Sequence, residues 1–224
     1  MTINYLINES LKIVRQDVNH NLNPVYRTKI YSFWGPESIS LHEIEQLDIP
    51  IWHKVRGWLA ILSAKRVLPI WYKSMQNNEP TLWINLGEDI LKGIVKIENL
   101  DENIWDRFYH SFVGLNDEIL LDVLYAGVAS REALNMVIGL KPFSTYILTN
   151  NITDENISAG NGDGASAAIK AYSTIYNYED KSKIKTHFDP QKKLEFWEWW
   201  LTEAIPKAWE LAQSSYQDKE KNHE

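Results

Sequence analysis

Pro50-Ile-Trp-His-Lys-Val-Arg-Gly-Trp-Leu-Ala-Ile-Leu-Ser-Ala-Lys-Arg-Val-Leu-Pro-Ile-Trp-Tyr-Lys-Ser-Met75 is the stretch whose reading decides the fold. Its apolar residues Ile51, Val55, Trp58, Leu62, Leu68, Trp71 and Met75 recur mostly every three or four positions, with no alternation. That period predicts a helix. Leu59, Ile61 and Val67 widen the apolar stripe, which predicts a helix in the centre of the molecule. Pro50 is placed to open it, because a first-turn residue needs no N–H bond. Pro69 removes the bond to residue 65 at a cost of roughly 3 kcal/mol, so a kink near Lys65–Arg66 or a break is expected. Every charged residue here is basic: Lys54, Arg56, Lys65, Arg66 and Lys73. They give +5 in a chain of net charge −7, so the remainder carries −12. Acidic surroundings of a basic central helix predict internal pairing, with Arg66 the expected buried charge.

Outward from this helix, the pattern stays helical. Leu82, Trp83, Leu86, Ile90, Leu91, Ile94 and Ile97 mark a helix over Pro80–Glu98. Asp101 can cap a shorter one through Phe112, and Asp117–Leu140 reads as another, with small residues at Ala126, Gly127, Ala129 and Ser130 for close packing. Residues 141–164 break the pattern. Phe143–Leu148 suits a short strand or an extended run, and the polar, small run Asn150–Gly164 is the longest expected loop. A helix over Ala165–Tyr178 follows, capped by Asp163 or Ser166. Asp189-Pro190 opens the last strong helix, whose stripe is Leu194, Trp197, Leu201, Ile205, Ala208 and Ala212. Pro206 repeats the oddity of Pro69. Residues 1–45 read as a partly helical N-terminal extension, 46–215 as a helical domain, and 216–224 as a frayed tail. The fold class is all-α: an irregular multi-helix bundle, or stacked helical hairpins, with one long loop near 141–164.

Composition narrows the function. The 224 residues contain no Cys, which removes disulfides, thiolate metal sites and Cys nucleophiles. A net charge of −7 argues against a general nucleic-acid binder and suits capture of a basic partner. Met1–His20 lacks the apolar core of a signal peptide, and no apolar run reaches membrane-spanning length, so a cytoplasmic protein without membrane contact is expected. Motifs for chemistry are missing. His42-Glu43-Ile44-Glu45-Gln46 has Gln where a zinc protease needs its second His. Gly160, Gly162 and Gly164 fit neither the P-loop nor the dinucleotide fingerprint. Asp154, Asn156, Asn161 and Asp163 could hold calcium loosely, although the twelve-residue calcium loop does not fit. No catalytic, cofactor-binding or metal residue is assigned, no cofactor is expected, and the chain is read as not an enzyme. Asp154, Glu155 and Asp163 are the candidate partner-binding residues, as loop carboxylates able to meet a basic partner.

Two stretches carry a family resemblance. Lys65-Arg66-Val67-Leu68-Pro69-Ile70-Trp71 resembles the Arg-Val-Leu-Pro-aromatic core of the first conserved helix of the Immunity protein five family of bacterial polymorphic toxin systems. Asp189-Pro190 with Phe196-Trp197-Glu198-Trp199-Trp200-Leu201-Thr202-Glu203-Ala204-Ile205-Pro206 resembles that family's C-terminal helix. The resemblance covers roughly residues 45–212 and includes both interior prolines. It implies an all-α antitoxin that binds and occludes a cognate toxin domain, for which a basic nuclease is the expected class. An enzyme or small-molecule binder, with the 150–164 loop as a lid, is the alternative.

Overall fold

A computed structural model describes residues 2–36, 49–75, 77–100, 120–139, 152–157, 162–177 and 185–221. The chain is mostly helical. Helix α1 spans Ile3–Gln16, α2 Pro24–Trp34, α3 Ile51–Ser74, α4 Glu79–Leu91, α5 Leu121–Val137 and α6 Gly164–Ser173. Strands β1 (Thr174–Asn177) and β2 (Lys185–Phe188) pair antiparallel, with Thr174 opposite Phe188 and Ile175 opposite His187. Helix α7 (Pro190–Trp199) passes through a π-helical turn, Trp200–Ala204, into α8 (Ile205–Lys221).

The central position expected for the 50–75 helix is what the structure has. Every residue of α3 from His53 to Ile61 is buried. The helix packs against α4, α5, α6 and α8. Small residues set these approaches. Ala126, Gly127 and Ala129 of α5 are buried against α3 and α6. A Cβ on Gly57 would stand 2.9 Å from Leu91, so α3 and α4 meet closely there. Gly164 lets the start of α6 lie on the backbone of Ala60, whose carbonyl oxygen is 3.5 Å from where a Cβ would be.

The prolines behave differently from each other. Pro69 faces solvent, and α3 runs unbroken from Ile51 to Ser74, so the expected break is not there. Pro206 instead follows the π-turn, in which the Ile205 N–H reaches back five residues to the Trp200 carbonyl. A wider turn directly before a proline reroutes the bond ladder where the ring cannot take part in it.

The caps fall as read. Asp189 accepts from the N–H groups of Gln191 and Lys192, with Pro190 at the first helical position. Asp163 accepts from Ser166 N at 2.7 Å. The helix expected over Ala165–Tyr178 stops at Ser173 and gives way to β1. Its last turn carries Ser173 and Thr174, whose hydroxyls donate to the carbonyls of Ile169 (2.7 Å) and Lys170 (2.6 Å). Such back-bonding and the β-branched Thr174-Ile175 pair favour leaving the helix. Helix α4 stops at Leu91, short of the expected Glu98, at a turn through Gly93 with φ 74°. The expected helix from Asp101 and the strand at Phe143–Leu148 lie outside the described residues.

Leu6, Leu11 and Val14 of α1 and Ile30 and Tyr31 of α2 belong to the same hydrophobic core as α3 and α7. Backbone helix continues through Lys221.

Candidate functional site

The loop singled out for its carboxylates is organised by an arginine from the far end of the chain. Helix α2 opens at Pro24, with the Asn23 side chain accepting from Val25 N at 2.9 Å. One turn in, Pro24, Arg27, Ile30 and Tyr31 form its buried face. Arg27 is fully buried, and all five of its N–H groups have acceptors. Its two Nη atoms meet the Asp154 carboxylate side by side at 2.8 and 2.7 Å. They also donate to the Leu22 carbonyl (2.6 Å) and the Ser166 hydroxyl (2.7 Å). Nε donates to Asp163 Oδ2 at 3.1 Å. One face of the guanidinium lies 4.9 Å from the Trp197 ring centroid.

The carboxylates are equally occupied. Asp163 Oδ2 also accepts from the Tyr31 hydroxyl at 2.7 Å, and Oδ1 caps α6 through Ser166 N. The Ser166 hydroxyl lies 2.7 Å from both carboxylates and can donate to one at a time. Burial works against the charge on Arg27, but Asp154 and Asp163 outweigh it and hold its pKa above the ordinary value. Burial, aided by Asp163, pushes the Tyr31 hydroxyl well up, so it stays a donor. Lys170 of α6 sits close by, bonded to the Ile157 carbonyl, with the Tyr125 hydroxyl at 3.4 Å. Burial lowers its pKa against the pull of Asp154 and Glu155. Asp154 and Asp163 thus share Arg27 as their ion-pair partner.

The structure thus separates the three candidate residues. Asp154 and Asp163 are buried and come together on Arg27. Glu155 points outward, its side chain 38% exposed and paired with the nearly buried Lys193 of α7, which also reaches Asn21. The cation between the two loop carboxylates is a guanidinium, and among the described residues no group of three or more His, Asp or Glu is arranged to hold a metal ion. Gly160 and Asn161 lie outside the described residues, as does the near-zinc motif at His42–Gln46.

Sequence reasoning missed Arg27. Its signal was present: a charged residue three and four positions before Ile30 and Tyr31, on the apolar stripe of a helix opened by Asn-Pro. The buried charges of α3 are also not the one expected. Arg56 and Lys54 are buried, whereas Arg66 is half-buried. Arg56 bonds the carbonyls of Tyr31 (2.6 Å from Nη2), Gly35 (2.7 Å) and Pro36, and lies 4.8 Å from the Trp52 ring centroid. It fixes the Trp34-Gly35-Pro36 segment that ends α2. Gly35 is needed there, since a Cβ would stand 2.6 Å from Trp52 Cγ.

An ionic centre whose groups are turned on one another ties Asp154 and Asp163 to the helical scaffold. Residues 7–207 match the family Immunity protein Imm5, and the chain belongs to that family. The match takes in most of α1 and all of α2 as well as the two stretches that carry the resemblance. Membership implies an immunity protein that binds a toxin and acts as an inhibitor. No curated protein matches the chain. Among the described residues no helix is long and apolar enough to cross a membrane.

Proposed function

We propose that this chain is an antitoxin that binds a cognate toxin domain, a basic nuclease, and occludes its active site in the cytoplasm of the cell that makes both. Membership of the Immunity protein Imm5 family over residues 7–207 carries this reading. The net charge of −7 supports the basic partner, because complementary charge speeds encounter and favours the right partner. The carboxylates Asp154, Glu155 and Asp163 are the contact element we assign. Glu155 meets the toxin directly, and Asp154 and Asp163 act through Arg27, which holds the loop ready and lowers the ordering cost at binding.

Co-expression with the toxin domain encoded beside this chain tests the reading. Growth should be rescued, and a purified pair should elute together. Unchanged toxicity with abundant folded protein would sink it. Given a complex, Glu155→Gln should slow association at low salt and flatten its salt dependence.

A further inference from the structure

Arg66 is held differently from Arg27 and Arg56. Its guanidinium carbon lies 4.4 Å from the Trp199 ring centroid and 5.3 Å from that of Tyr172. Its Nε is buried and has no hydrogen-bond partner among the described residues. Among the described residues no carboxylate pairs with it, and Glu198 on the neighbouring turn is bound to Arg15 at 2.8 Å. Arg66, Tyr172 and Trp199 are each half-buried, so the group reaches the surface. The three come from α3, the end of α6 and the end of α7, so the packed core fixes their arrangement. Both stretches that carry the family resemblance meet here, one supplying Arg66 and the other Trp199.

A guanidinium flanked by rings keeps its fork rigid, which suits a planar, two-oxygen acceptor. Trp, Tyr and Arg are the residue types most enriched where binding energy concentrates in interfaces. Here one of each stands together, half-exposed, around a guanidinium that no described carboxylate pairs. We propose that Arg66, framed by Tyr172 and Trp199, is the contact for an Asp or Glu side chain of the bound toxin domain. The carboxylate accepts from the guanidinium, and the two rings pack against the residues beside it. Charge complementarity selects this occupant: a positive fork that no described carboxylate pairs, on a chain of net charge −7. This inference rests on the antitoxin reading and adds a second contact to it. The first, Glu155, grips α7 through Lys193, and Trp199 lies at the other end of that helix.

The test uses the full chain and a catalytically inactive form of the toxin domain encoded beside it. Affinity is measured by calorimetry for wild type, Arg66→Gln and Arg66→Lys, with the thermal midpoint of each free protein. Arg66→Gln should weaken binding by about 30-fold or more. Arg66→Lys keeps the charge but loses the fork and should weaken it by about 10-fold. Both free proteins should keep wild-type midpoints and helical circular dichroism. Wild-type affinity in both variants overturns the proposal and leaves Arg66 as a packing residue. Affinity lost only in step with helical signal, in both variants, overturns it as well. If the wild-type chain itself does not bind, the antitoxin reading fails and takes this contact with it.

Discussion

Replacing Arg27 with Met removes a cation but keeps an apolar stem of similar length on Trp197. The consequence follows from what stays behind. Asp154 and Asp163 are 5% and 0% exposed, and each would lose its charged donor. Bond by bond, five N–H contacts disappear, three of them to carboxylate oxygens. Breaking a buried pair by removing one partner costs about 3–5 kcal/mol, because the desolvated charge remains. A domain of ordinary stability has about 5–15 kcal/mol in all, so Arg27→Met should leave a protein near the edge of folding. Urea denaturation read by Trp fluorescence measures it directly. With an m value of about 2 kcal/mol per molar, the midpoint should fall by about 2 M. A companion triple variant sharpens the test. Arg27→Met with Asp154→Leu and Asp163→Asn removes the stranded charges while Asn keeps the cap on Ser166. It should be more stable than Arg27→Met alone, since apolar replacement of a whole buried ionic group is often neutral. A loss under about 1 kcal/mol for Arg27→Met, or a triple variant less stable than the single, would refute the ionic-centre account.

Two further outcomes concern α3. His53 is buried, its Nε2 donates to the Val137 carbonyl at 2.7 Å, and burial, with Arg56 nearby, lowers its pKa to about 4. The folded pKa lies below the unfolded value, so this stability is complete above about pH 6.5 and is lost as pH falls towards 4, by about 3 kcal/mol. Urea midpoints between pH 7 and 4.5 should decline by this share in wild type, and His53→Gln should remove it; an identical decline in both would assign the acid sensitivity elsewhere. Pro69 is exposed inside an unbroken helix, so Pro69→Ala restores an N–H to the Lys65 carbonyl without disturbing packing. Relief of about 3 kcal/mol, less about 1 kcal/mol for a looser unfolded chain, should raise stability by about 2 kcal/mol in thermal or urea melts. No gain would mean that the backbone is set by its neighbours and not by the ring.

How far the sequence could be read depends on the range of the interaction. Helix α3, the Asp189-Pro190 start and the Asp163 cap were legible, because caps and apolar periods act within a few residues. The β1–β2 hairpin was not, since Thr174–Asn177 continues an apolar pattern and β2 is a short, mostly polar run whose pairing is tertiary. The site divides the same way. Loop carboxylates can be seen in one dimension, but Arg27 reaches them across 127 and 136 residues. A chain can show that it holds a buried charge without showing which partner it meets.

The excess charge of α3 illustrates this. Internal pairing of this basic helix with acidic surroundings was expected, with Arg66 as the buried charge. Lys65 does bond Glu88 of α4, joined there by Lys92, and the two lysines lower the Glu88 pKa although burial opposes them. Arg56 turns instead to backbone carbonyls of the 35–36 turn, where its fork meets the oxygens left at the end of α2. Arg66 meets rings and, among the described residues, no anion. One helix therefore uses its cations to pair, to cap and to stack, and only the first use was predictable from net charge. The buried arginines have acceptors inside the molecule, whereas half-buried Arg66 meets rings and, among the described residues, no carboxylate. That contrast is why the scaffold and the contact are assigned to different arginines.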